Sequence, residues 1–171
     1  MRDDFYITPS WATKLLMKYE TFGEPILEPA VGQGMMSNVL KESYDVIGLD
    51  INPAFSPDIT TDYLSWKPNQ LFESIVTNPP YLYAMEYINK SLKILPEGGK
   101  LALLLRLNFL ESRERYGFWK EHPPAKIYVL AERPSFIPNK TTDSIAYAWF
   151  IFIKGYNSDT KLKVISKSEL E

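Results

Sequence analysis

The sequence predicts an α/β protein with a mostly parallel sheet that closes on a late antiparallel hairpin. Three observations predict it. Short apolar runs alternate with helical stretches over the first two thirds of the chain. The run KLALLLRL (100–107) is continuously apolar, as in a strand buried on both faces. The last two apolar runs, AKIYVLAE (125–132) and SIAYAWFIFIK (144–154), follow each other with no long helix between them. With 171 residues, no internal repeat and no linker-like stretch, the chain is expected to form one domain over residues 1–171.

The elements follow in order. PSWATKLLMKYE (9–20) reads as a helix opened by Pro9 or Ser10, with Trp11, Leu15, Leu16 and Tyr19 on one face. PILEP (25–29) is a short strand, and AVGQGMMSNVLKES is a glycine turn running into a helix. DVIGLD (45–50) is the second strand, DITTDYLSW holds a third short one, and SIVTNPPY a fourth that stops at Asn78. AMEYINKSLKIL (84–95) is an amphipathic helix closed by the turn PEGG. Residues 108–122 are charged with helical spacing, RPSFIPNKTTD (133–143) is too long and proline-rich for a tight hairpin, and the polar tail after Gly155 is expected to form a short strand or fray.

Composition excludes several chemistries. The chain has no cysteine and one histidine, His122, in the loop-like EHPP. Disulfides, thiolate metal sites and cysteine nucleophiles are therefore ruled out, and His122 reads as a surface residue rather than a catalytic or metal-binding one. No apolar run approaches the ~18 residues of a membrane helix, and MRDDFYITPS lacks the apolar region of a secretory signal. A cytoplasmic protein without a membrane or metal partner is expected.

The net charge of −2 conceals an asymmetry. Residues 1–105 carry 8 basic against 13 acidic side chains, and residues 106–171 carry 11 against 8. The basic half includes Arg106, Arg113, Arg115, Lys120, Lys126, Arg133 and Lys140. Ordinary solvated surface explains so small an excess; a cationic ligand at one end and a polyanion at the other would explain it too.

In parallel α/β sheets, ligands bind beyond the carboxyl ends of the strands. Glu28, Asp50, Asp62 and Asn78 all fall there. In LEPAVGQG (27–34), Gly32 and Gly34 let a backbone approach a ligand closely. The dinucleotide fingerprint is incomplete, because Ser37 stands where glycine or alanine is wanted. Glu28 at the mouth of this turn would repel a pyrophosphate and suits an ammonium or sulfonium. Asp50, 22 residues later, can accept both hydroxyls of a ribose, and Asp62 can accept an exocyclic amine. Each is also a common turn residue; along one rim they describe a site for an adenosine with a cationic amino-acid tail.

TNPPY (77–81) is the most specific signal. Consecutive prolines fix the backbone and remove two N–H donors. The side-chain oxygen of Asn78 and the carbonyl of Pro79 can then accept both hydrogens of a planar –NH2 and stabilise positive charge developing on its nitrogen. Tyr81 offers a face for stacking. A plain strand-ending turn would require neither the asparagine nor the tyrosine.

NPPY after the fourth strand, with EPAVGQG after the first, resembles the S-adenosylmethionine-dependent amino-methyltransferases, especially the DNA adenine-N6 enzymes. FYITPSWA resembles their Thr-Pro segment. RLNFLESRERYGFW (106–119) and AYAWFIFIK (146–154) extend the likeness to small phage and prophage enzymes, over residues ~3–154. The resemblance implies a class I, Rossmann-like methyltransferase fold of seven strands, with S-adenosylmethionine as cofactor and nucleic acid, DNA foremost, as partner in a bacterial or phage-infected cell. Thr8 and Pro9 would border the methionine part, and Glu28, Pro29, Ala30, Gly32 and Gly34 would hold its amino-acid end. Asp50 would take the ribose and Asp62 the adenine, with Ile51 and Tyr63 packing beside it. Asn78, Pro79, Pro80 and Tyr81 would form the catalytic element, with Asn78 also facing the cofactor. Phe136 stands as the second aromatic at the target base.

The resemblance leaves the acceptor open. C5-cytosine methylation needs a cysteine and is excluded. N4-cytosine enzymes more often carry serine before the prolines, and protein-glutamine enzymes usually have an extra N-terminal helical domain. DNA adenine leads, RNA adenine or cytosine-N4 follows, and a protein amide is third. A retired partner subunit would often have lost Asn78, and an NAD-linked reductase would have no use for Asn-Pro-Pro-Tyr. For nucleic acid, Arg113, Arg115, Arg133 and Lys140 are the expected phosphate contacts, with Phe136 or Tyr116 near a flipped base. No separate target-recognition domain is expected, so sequence preference would be weak and relaxed, or a dimer mate or partner would supply specificity.

Overall fold

The computed structural model describes residues 7–136 and 144–171. Lys140, an expected phosphate contact, lies outside them. Eight strands form one sheet: β1 (Ile26–Glu28), β2 (Val46–Asp50), β3 (Ile59–Thr60), β4 (Ser74–Thr77), β5 (Lys100–Arg106), β6 (Lys126–Leu130), β7 (Tyr147–Ile153) and β8 (Lys161–Ile165). Their order is β3-β2-β1-β4-β5-β7-β6-β8. Only β7 is reversed, antiparallel to β5 on one side and β6 on the other; the remaining pairings are parallel.

Among the described residues the sheet thus has one strand more than the seven expected. β8 arises where the tail was left to choose between a strand and fraying. It pairs in parallel with β6 over five residues, and the turn after it is tied down by a capping box between Ser166 and Glu169. Glu169 also accepts from the Tyr19 hydroxyl, and its carbonyl accepts from Lys18, so α1 holds the tail.

The helices are α1 (Ser10–Tyr19), α2 (Met35–Leu40), α3 (Ala84–Ile94) and α4 (Tyr116–Glu121). Alternation in the central strands builds two apolar layers. Ala102 and Leu104 of β5, with Tyr147, Trp149 and Ile151 of β7, face α1 and α2. Leu101, Leu103, Leu105, Phe150 and Phe152 face α3 and the aromatic side of α4. The Trp149 indole N–H donates to the Ala12 carbonyl at 3.0 Å, which satisfies its one donor and fixes α1 across the sheet. Residues 108–122 yield only a short turn, Leu107–Leu110, and the six-residue α4 rather than one long helix. No helix among the described residues is long and apolar enough to cross a membrane.

The consequence for function is positional. β1, β2, β4 and β5 are neighbours and point the same way, so their carboxyl ends place Glu28, Asp50, Asn78 and Arg106 along one rim.

Candidate functional site

The turn after β1 is shaped by Gly32 and Gly34, with φ of +53° and +76°. A Cβ at Gly32 would meet nothing within 4 Å, so the left-handed backbone, not crowding, is what favours glycine there. The Gly32 amide donates to Asp50 Oδ2 at 2.8 Å, and the Asn52 amide to Asp50 Oδ1 at 2.8 Å. Asp50 therefore braces the turn and is itself held, and each oxygen retains capacity for a further hydrogen bond.

Glu28 ends β1 and is buried, with 1% of its surface exposed. Burial pushes its carboxyl up to about 8; the Ser37 hydrogen bond and the Lys41 charge oppose this, and the Asp50 charge adds to it. The Ser37 hydroxyl donates to Glu28 Oε2. Ser37 is the residue that spoils the dinucleotide fingerprint, and in the structure it supports the acidic residue of the rim. Sequence reading treated it only as a missing glycine; its spacing from Gly34, one helical turn on, was the available signal.

Asn78 follows β4. Its Nδ2 donates to the Thr8 hydroxyl at 3.1 Å, whereas its Oδ1 is buried and has no hydrogen-bond partner among the described residues. A buried acceptor left unsatisfied is costly, of the order of 1–3 kcal/mol. Thr8, Glu28, Ala30, Met36 and Asn78 border a narrow polar cavity of about 20 Å³, with the exposed Gln33 and Met35 at its lip.

Pro79 is buried and Pro80 half-buried, and the turn Tyr81–Tyr83 leads into α3. The Tyr81 ring lies 6.0 Å from that of Tyr147, and the Arg106 guanidinium carbon sits 5.0 Å from the Tyr81 centroid. On the β5 side of Tyr81 is a larger cavity of about 320 Å³, bounded by Leu105, Arg106, Asn108, Phe109 and Arg115. Arg106 was read only as part of a basic stretch; its place at the end of the apolar run 100–107 was the signal that it reaches the rim.

The remaining expected residues divide. Pro9 caps α1 beside Thr8, and Pro29 is buried under the glycine turn. Asp62 is exposed, its Oδ1 accepting from the Leu64 amide at 3.0 Å, and Ile51 is 70% exposed above β2. Tyr63 lies differently from its expected place beside an adenine. Its side chain is a core residue, hydrogen-bonded to Ser91 at 2.9 Å, because the turn after β3 directs it inward under α3. Phe136 is also a core ring rather than one presented to a base: it packs edge-to-face on Tyr147 at 4.8 Å, and its carbonyl accepts from the Ile7 amide at 2.9 Å.

Arg113 and Arg133 are exposed, as is Tyr116. Arg115 is committed locally: it donates to the carbonyls of Phe109 and Glu111 at 2.9 and 3.0 Å and lies 4.4 Å over the Phe109 ring, so it shapes the loop beside Tyr81. His122 is exposed next to Phe118, as expected of a surface histidine.

No family model matches the chain. Among curated proteins, the Type II methyltransferase M.TthHB8I of Thermus thermophilus is 30% identical over 69 residues, covering 34% of this chain and 16% of that protein. The match thus spans about a sixth of the relative's length. Among solved structures, one described as a class I S-adenosylmethionine-dependent methyltransferase from Listeria monocytogenes superposes with a TM-score of 0.67 at 15% identity, over 96% of this chain and 67% of that one. The M protein of the type I restriction enzyme EcoKI superposes with a TM-score of 0.65 at 14% identity, over 96% of this chain and 49% of that one. The fold is the class I methyltransferase fold.

Proposed function

We propose that the chain is an S-adenosylmethionine-dependent N-methyltransferase whose acceptor is an exocyclic amine, N6 of adenine in DNA. The observation that carries this reading is the Asn78 oxygen: buried, without a partner among the described residues, and followed by two prolines at the end of β4. That is an acceptor kept vacant for a donor that arrives with the substrate.

The rim suits the cofactor by its chemistry. Glu28 is a buried acid that a cationic amino-acid end would ionise, Asp50 has lone pairs left for two ribose hydroxyls, and the face of Gly32 is open. Gln33 and Met35, at the lip of the narrow cavity, have to swing aside on binding. When bound, S-adenosylmethionine supplies an electrophilic methyl group on a sulfonium.

The chain's own residues act on the acceptor. Asn78 Oδ1 and the Pro79 carbonyl accept the two amine hydrogens, which turns the nitrogen lone pair out of conjugation and stabilises the charge that grows on nitrogen. Once methylated, the acceptor nitrogen would carry one proton too many and would give it up to water. The cavity beside Tyr81 is where a planar base would stack, with Arg106 moving off the Tyr81 ring to admit it. The likeness to type II and type I restriction-associated methyltransferases supports DNA as the polymer.

The test is product identification. Methyl-labelled S-adenosylmethionine is incubated separately with duplex DNA, single-stranded DNA, RNA and protein extract, and each is digested to its components. Labelled N6-methyladenine from DNA is expected. Label confined to RNA or to N4-methylcytosine shifts the acceptor, and label in glutamine removes nucleic acid from the reading.

A further inference from the structure

The donor end of the Asn78 amide is engaged, while its Oδ1 has no partner among the described residues. Thr8 is buried, with 6% of its surface exposed, and its hydroxyl takes a proton of Asn78 Nδ2 from 70 residues away in sequence. Resting on the reading above, we infer that Thr8 is a positioning residue for methyl transfer: it engages the donor end of the Asn78 amide, so that the oxygen end faces the acceptor amine.

The geometry gives Thr8 the rigidity this needs. On one side, the Ile7 amide donates to the Phe136 carbonyl at 2.9 Å, and the Phe136 ring is wedged against Tyr147 in the core. On the other, Pro9 caps α1, which the Trp149–Ala12 hydrogen bond fixes to the sheet. The segment crossing the rim is thus anchored at both ends, with one hydroxyl aimed at Asn78. Pro79 restricts the asparagine backbone to extended conformations, leaving side-chain rotation as its main freedom, and Thr8 removes that too. Thr8 accepts from Asn78 and keeps its own O–H donor, so the same residue can still border the methionine part of the cofactor as the resemblance implies.

Thr8→Val keeps the shape and removes the acceptor, Thr8→Ser keeps the acceptor, and Asn78→Ala removes the amide. Thr8→Val is expected to lower kcat about 10-fold while leaving S-adenosylmethionine affinity, measured calorimetrically, within about 2-fold; Thr8→Ser restores the rate. Asn78→Ala loses about 10²–10³-fold. In that background Thr8→Val should cost nothing more, since its route to the reaction is gone.

The side-chain NH2 signals of Asn78 in nitrogen-15 NMR give a readout independent of activity: slow exchange in the wild type and Thr8→Ser, fast in Thr8→Val. Loss of cofactor affinity at unchanged kcat, multiplicative losses in the double variant, or unchanged amide exchange in Thr8→Val each overturns the assignment. A wild type that methylates nothing overturns the proposed activity instead, and the amide spectrum then decides the Thr8–Asn78 pairing by itself.

Discussion

Two buried glutamates sit at opposite ends of the sheet and meet opposite fates. Glu20, at the end of α1, lies by the first residues of β5 and β6 and is 3% exposed; Glu28, at the carboxyl end of β1, is 1% exposed. Burial raises both. At Glu20, hydrogen bonds from Lys100 at 2.7 Å, Lys126 at 2.5 Å and the Tyr128 hydroxyl at 2.6 Å outweigh it and hold the carboxyl below its usual value. At Glu28 the Ser37 hydrogen bonds and the Lys41 charge do not, and the carboxyl rises to about 8. The difference separates a carboxylate whose charge the fold satisfies from a carboxyl whose charge it does not. The same end of the sheet that under-satisfies Glu28 also holds Asn78 Oδ1, which has no partner among the described residues.

Removing Glu20 breaks the satisfied end, with the largest expected effect on stability. Glu20→Ala strands two lysines and a tyrosine hydroxyl. Because the lysine side chains are 24% and 34% exposed and can reach water, the cost is at the lower end for a buried pair, about 3 kcal/mol by denaturant unfolding. The pH dependence follows from the lowered carboxyl. Its contribution is present above the unfolded value of 4.5 and is lost as pH falls through the still lower folded value, so wild type and variant converge in acid. A gap that stays constant down to pH 2 would contradict the role given to the charge.

Glu28 should behave with the opposite sign. Its folded value lies above 4.5, so the unligated protein loses stability as pH rises from 4.5 to about 8. Glu28→Gln removes that loss and is expected to raise the melting temperature at pH 8 by about 3–6 °C. A cationic ligand favours the ionised form, so S-adenosylmethionine affinity in the wild type climbs toward pH 8 and levels above it, with a proton released on binding. Calorimetry in buffers of different ionisation enthalpy measures that proton directly. Absence of proton release at pH 6–7 would remove Glu28 from the cationic end of the site.

The contrast between these glutamates was only half legible in the sequence. Periodicity and turn chemistry are local, so the alternating elements, the apolar β5 and the rim positions of Glu28, Asp50 and Asn78 could be read directly. Partners 70 or 106 residues apart could not, and Thr8–Asn78 and Glu20–Lys126 are of that kind. Tyr63 and Phe136 show the same limit from the other side: an aromatic beside a motif serves a ligand or the core depending on where its turn directs it, and both were directed inward. The tail was ambiguous because KLKVI has one buried position, Ile165, so only pairing with β6 makes it a strand.

The smallest expected effect concerns the exposed arginines, and it sharpens which parts of the basic half belong to the site. Arg113 and Arg133 are solvated, whereas Arg115 is bonded to its own loop. If the first two contact phosphates, Arg113→Gln and Arg133→Gln each weaken DNA binding with little regard to sequence. Each also lowers the slope of log affinity against log salt by about 1, because a neutralised phosphate releases about one counterion. Arg115→Gln acts through the loop beside Tyr81, so it should lower kcat at saturating DNA with less change in that slope. A fluorescence-anisotropy salt titration of the three variants separates the roles. Slopes unchanged from the wild type in all three would mean that these arginines merely solvate the surface and contact no phosphate.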